Sequence, residues 1–205
     1  MEFAKKVALV YGVEVAERSL PPNVPASMQR NKRLIQVNRD HRPERQNFSA
    51  LHELAHYVLG HPENNHTNAL WEKDANEWAS DVMLPDEEFR RYSYEDLDAI
   101  KEAFPHASYE VIARKLARRN GWILTIYDRP PDSPLTLYLR LPPERLNCPE
   151  YPIPQEREAV NKTLENKSHQ TIEYPDLILY AYYIDDPPTG YERVILLTEV
   201  MERWE

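Results

Sequence analysis

Two histidines four residues apart, with a glutamate directly after the first, form the string His52-Glu53-Leu54-Ala55-His56. On a helix, positions four apart share a face, so both imidazoles can reach one ion. Two neutral imidazoles suit zinc. Glu53 is turned about 100° around the helix axis from His52, which sets its carboxylate beside such an ion rather than on it. From there it can take a proton from a metal-activated water. The string therefore points to metal-assisted hydrolysis of a peptide bond, with His52 and His56 as ligands and Glu53 as general base.

A catalytic zinc site usually has three protein ligands and leaves a position for water, so a third ligand is required. The metzincin spacing would place glycine at position 59 and histidine at position 62. The chain has Leu59 and Pro62, which excludes that class. His61, His66, Glu72, Asp74 and Glu77 remain. Glu72 is favoured, because two antiparallel helices joined by a short loop bring the start of the second beside the end of the first. Asn76, one turn after Glu72, can orient a ligand by hydrogen bonding. A site closed by a fourth protein ligand would be structural instead, and His61 or His66 would have to close it.

The elements that position these residues are readable around them. Pro43 at a first turn and Gly60 just past a last turn predict a helix over Pro43 to Leu59, with Leu51, Leu54, Ala55, Val58 and Leu59 as its apolar stripe. Asn68 as N-cap and Pro85 as stop predict the next helix, with Trp71, Ala75, Trp78, Ala79 and Val82 on one face. Upstream, Phe3 to Gly12 reads as an amphipathic helix, the prolines 21, 22 and 25 as a loop, and Leu34 to Asn38 as a strand. Downstream, helices are expected over Glu95 to Phe104 and Ser108 to Asn120.

After Gly121 the texture changes to short β-branched runs: Ile123 to Tyr127, Leu135 to Leu141, Ile172 to Ile184 and Val194 to Val200, with a helix over Gln155 to Asn166. The expected class is α+β. Residues 1–120 would form a helical, zincin-like metallopeptidase core with a small sheet, and residues 121–205 a β-rich region.

A chain of 205 residues can bury a substantial core. One cysteine, Cys148, cannot form an internal disulfide, and the first twenty residues hold no apolar run long enough for a signal peptide or membrane span. The cytoplasm is the expected compartment, with no membrane partner. A net charge of −9 argues against broad nucleic-acid binding. Arg114, Lys115, Arg118 and Arg119 on one helix read as a basic solvated face ahead of half a helix-turn-helix.

The chain resembles the ImmA/IrrE family of metallopeptidases over about residues 30 to 120. The likeness rests on Ile35-Gln36-Val37-Asn38, on Phe48 through Leu59, on Glu72-Lys73-Asp74-Ala75-Asn76-Glu77-Trp78-Ala79, and on Val82-Met83-Leu84-Pro85. Ala55 stands where glycine is common, and Trp78 where phenylalanine is usual. The resemblance implies that His52, His56 and Glu72 hold zinc, or manganese, and that Glu53 is catalytic. An acidic residue commonly precedes Ala-Asn in relatives, so Asp74 stays open beside Glu72. It also implies a protein substrate, a helix-turn-helix transcriptional repressor cut to release stress-response or mobile-element genes. The alternative expectation is a non-catalytic, metal-containing regulator that binds a protein or DNA.

Overall fold

Pro43 fixes φ for a first helical turn, and Gly60 adopts φ +72° after the last one. Between them runs the helix α2 (Pro43–Val58), the sixth regular element of the chain in the computed structural model. The described residues are 1–62, 68–92, 96–143, 146, 148–186 and 190–201. They divide into two compact units, Met1–Ile112 and Ala113–Glu205.

The first unit begins with α1 (Glu2–Val10), which buries Ala4 and Ala8 and stops at Gly12, φ +67°. A three-stranded sheet follows, built from β1 (Glu14–Arg18), β2 (Ala26–Gln29) and β3 (Leu34–Asn38) in the order β1-β3-β2. The central strand, β3, runs parallel to β1 and antiparallel to β2. Only β3 was expected. Residues 13–18 and the proline-marked loop do more than predicted, because Val15 and Ala26 bury against a sheet whose central strand supplies the pairing partners.

Asn38 ends β3 and ties the local chain together. Its Nδ2 faces the carbonyls of Leu20, Pro21 and Val24 at 3.2–3.4 Å, while its own carbonyl accepts from Gln46 Nε2 at 3.1 Å. That last bond fixes the start of α2 against the sheet. From there α2 packs against α1, β2, β3 and α3 (Ala69–Met83). Its buried face runs from Gln46 to His56 and includes Ala50, Leu51, Leu54 and Ala55. Val58 and Leu59, expected on the apolar stripe, are instead 36% and 43% exposed. Asn68 caps α3 as expected, its side chain accepting from the amides of Leu70 and Trp71.

Two short helices, α4 (Asp86–Phe89) and α5 (Leu97–Ala103), follow. Asp96 Oδ1 caps α5 at 2.8 Å from Ala99 N; Glu95, where this helix was expected to begin, lies outside the described residues. The division between the units falls within α6 (Tyr109–Asn120), on which Lys115 is buried rather than part of a solvated basic face.

The second unit carries a five-stranded antiparallel sheet in the order β5-β4-β8-β7-β6. Its strands are β4 (Ile123–Arg129), β5 (Thr136–Leu141), β6 (Gln170–Glu173), β7 (Leu177–Asp186) and β8 (Tyr191–Val200). The single run expected over Ile172 to Ile184 is two strands, because Pro175 lacks an amide hydrogen and a turn closes there, Tyr174 N donating to Leu177 O at 2.8 Å. The helix α7 (Pro154–Asn166) covers one sheet face with Ala159, Val160 and Leu164 against Leu177, Leu179, Ala181, Val194 and Leu196. The chain is thus α+β, with a helix-rich first unit and a β-rich second one. No helix among the described residues is long and apolar enough to cross a membrane.

Candidate metal centre

His52 and His56 lie on consecutive turns of α2, and their Nε2 atoms are 3.1 Å apart. Glu72, in the first turn of α3, reaches across with Oε2 3.2 Å from His52 Nε2 and Oε1 3.3 Å from His56 Nε2. These three residues form the one His/Cys/Asp/Glu group among the described residues with ligand atoms all within 4.8 Å of one another. Asp74 is exposed and Glu77 half-buried, and neither belongs to the group. His66, one of the candidate third ligands, lies outside the described residues. Tyr92 packs edge-on against Phe104, 5.8 Å between ring centroids.

The outward nitrogens of the two histidines are both engaged. His52 Nδ1 is 3.0 Å from Asn76 Oδ1. An amide oxygen only accepts, so Nδ1 carries the hydrogen and Nε2 keeps its lone pair facing the cluster. His56 Nδ1 is 2.9 Å from His61 Nδ1. His61 itself is buried, and its ring stacks on Trp71 with 5.6 Å between centroids and 18° between planes. Arg30, in the turn after β2, donates through Nη2 to the carbonyls of both His56 and His61.

Two imidazole lone pairs and a carboxylate converging this closely repel one another unless positive charge lies between them. Zinc bonds of about 2.0–2.1 Å in a tetrahedral arrangement put neighbouring ligand atoms roughly 3.3–3.4 Å apart. The Nε2–Nε2 separation of 3.1 Å sits near that edge length, and Glu72 brings one carboxylate oxygen to each histidine, at 3.2 and 3.3 Å. The donor set, its spacing and the hydrogen-bonded outer nitrogens all fit a divalent metal ion.

Sequence reasoning anticipated a hydrogen bond from Asn76 and did not find the parts played by His61 and Arg30. A signal for His61 was present. Gly60 just past the helix end makes His61 the next residue of a Schellman stop, whose geometry folds that residue back onto the last turn. Both of its bonds are seen: His61 N to His56 O at 3.0 Å and Gly60 N to Tyr57 O at 3.3 Å. For Arg30 no signal existed, since it serves backbone carbonyls rather than a recognisable side chain.

No curated protein matches the chain. A Mycobacterium tuberculosis transcriptional regulator of known structure is similar in fold, with a TM-score of 0.60 at 15% identity, over 98% of this chain and 80% of that one. The family model of the IrrE N-terminal-like domain, peptidase family M78, matches residues 9–117, a span that contains all of α2 and α3. With more than half of its 205 residues in that match, the chain belongs to the IrrE N-terminal-like family of peptidases.

Proposed function

We propose that the protein is a zinc-dependent endopeptidase whose target is a helix-turn-helix transcriptional repressor. The observation that carries this reading is the convergence of His52, His56 and Glu72, with Glu53 next to a ligand on the same helix, in a chain of a peptidase family. Zinc held by such a trio supplies Lewis acidity, bringing the pKa of a bound water toward 7 and polarising a carbonyl oxygen.

The chain's own residues divide the remaining work. His52 and His56 present lone pairs, that of His52 fixed in direction by Asn76. Glu72 contributes negative charge from a second helix, which ties the site's geometry to the packing of α2 on α3. Glu53, half-buried on α2, is the general base: its carboxylate takes the proton from the attacking water and returns it to the departing amine nitrogen. Manganese in place of zinc uses the same ligands. The repressor target is supported by the family resemblance and agrees with a fold shared with a transcriptional regulator.

The test pairs metal analysis with proteolysis. Purified protein should hold one transition-metal ion per chain and cut a helix-turn-helix repressor encoded beside it at one site. Glu53→Gln should abolish cleavage while leaving the metal content unchanged. Native-rate cleavage by that variant would remove Glu53 as base, and failure of the wild-type protein to bind any transition metal would remove the enzyme reading altogether. A wild-type protein that binds metal and repressor without cutting would establish the non-catalytic regulator instead.

A further inference from the structure

Among the described residues, three helices end at a glycine of positive φ followed by a residue whose amide bonds back to the helix: Val13 N to Ala8 O, His61 N to His56 O and Trp122 N to Ala117 O, each at 3.0 Å. This stop normally brings together an apolar pair, one residue before the end and one after it. Two of the three follow that rule, since Val13 and Ala8, and Trp122 and Ala117, are buried apolar residues. At the end of α2 the same geometry brings two imidazoles together, Nδ1 to Nδ1 at 2.9 Å.

We infer that His61 is a positioning residue for the metal centre: by accepting the Nδ1 hydrogen of His56 it holds the Nε2 lone pair of that ligand on the ion. The inference rests on the reading of His52, His56 and Glu72 as ligands. An imidazole nitrogen that accepts a hydrogen bond must carry no hydrogen, so His61 holds its own hydrogen on Nε2. Three features keep the ring in register. Its amide is bound to His56 O, its carbonyl is held by Arg30, and its plane lies along the indole of Trp71, the residue before Glu72. Ligand histidines usually direct their second nitrogen to a carboxylate, a carbonyl or water, and loss of such a partner weakens metal binding by about 10- to 100-fold. A neutral imidazole orients the ligand in the same way and adds no negative charge to a site that already contains Glu72.

The full chain, titrated with zinc alone in competition with a chromophoric chelator, tests this. His61→Phe keeps a ring against Trp71 and removes the acceptor, so zinc affinity should fall by about 10- to 100-fold. His61→Asn loses the ring and restores an acceptor, so affinity should recover most of that loss even though this variant is the less well packed. A residue acting only as a helix stop or a stacking partner gives the opposite order, Phe tighter than Asn, and that order overturns the inference. Equal affinity of wild type and His61→Phe overturns it too, while leaving the metallopeptidase reading intact. A wild-type chain that binds no zinc overturns that reading, and the inference with it.

Discussion

His52 Nδ1 and Asn76 Oδ1, on two different helices, lie 3.0 Å apart, and this contact settles which nitrogen of His52 faces the cluster. Asn76 is one helical turn beyond Glu72, so α3 delivers a carboxylate and the amide that aims a histidine from the same face. Asn76→Ala should weaken zinc binding by about 10- to 100-fold. Asn76→Asp keeps an acceptor at this position and should bind close to wild type. Chelator competition measures both; an alanine variant of unchanged affinity would remove the orienting role.

Glu72 and Asp74 are separated by the same measurement. Glu72→Gln loses a charged oxygen from the cluster and should cost at least as much zinc affinity as the loss of an orienting partner, about 10- to 100-fold or more. Asp74→Asn, at an exposed position outside the cluster, should bind zinc as the wild type does. The reverse result would move the third ligand to Asp74.

Gly60 gives a prediction that separates strain from positioning. Its φ of +72° is one that alanine adopts at a cost of roughly 1–2 kcal/mol, partly offset by a stiffer unfolded chain, for a net loss of about 1 kcal/mol. A Cβ there meets nothing within 4 Å, so the whole effect is backbone strain. Gly12, at φ +67°, is a matched control whose helix end carries no histidine pair. Both alanine variants should lower the unfolding midpoint by about 2–4 °C, and only Gly60→Ala should also weaken zinc binding.

The two central helices were legible in the sequence because their boundaries are marked by residues with mechanical effects: Pro43 and Gly60 for α2, Asn68 and Pro85 for α3. Ligand spacing was legible for the same reason, since a helical period converts positions 52 and 56 into a shared face. Strands β1 and β2 were not, because neither carries a run of apolar residues. Each owes its place to pairing with β3, a tertiary effect that local propensity does not encode. In the sequence His61 stands only as a candidate ligand, because its contact with His56 depends on a backbone turn, and Arg30 carries no signal, because carbonyls in need of donors leave no mark on residue type.

In the second unit, Glu156 and Arg140 form a buried pair at 3.0 Å, with side chains 0% and 5% exposed. Glu156 also accepts from Thr198 Oγ1 at 2.8 Å and from the amide of Ile153 at 2.9 Å, so it joins the sheet to the start of α7. Removing one partner leaves the other charge buried. Glu156→Gln should therefore destabilise by about 3–5 kcal/mol, while Arg140→Met combined with Glu156→Leu should recover most of that loss. Denaturant unfolding decides between this and a passive pair, for which the single variant costs no more than the double.

A second stability effect is tied to pH. His106 lies half-buried in the first unit, its ring stacked 3.8 Å from that of Phe3 and its Nε2–H donating to Met83 O at 2.8 Å. Burial lowers its pKa from the usual 6.5, the bond to Met83 opposes that shift, and the nearby Lys101 ammonium adds to it. The folded-state pKa is thus below the unfolded one. As pH falls past about 6.5 the unfolded chain takes up the proton first. Stability due to neutral His106 is therefore complete above that pH and is lost on acidification through the lower, folded value. His41, also lowered by burial and then by Arg45, acts in the same direction. His106→Phe retains a ring against Phe3 and loses the donor to Met83, so it should cost about 1 kcal/mol at neutral pH. Its stability should also fall less steeply than the wild type's on acidification, though not level out, because His41 remains. Urea unfolding across about pH 5 to 8 gives both slopes, and parallel slopes would show that His106 makes no contribution.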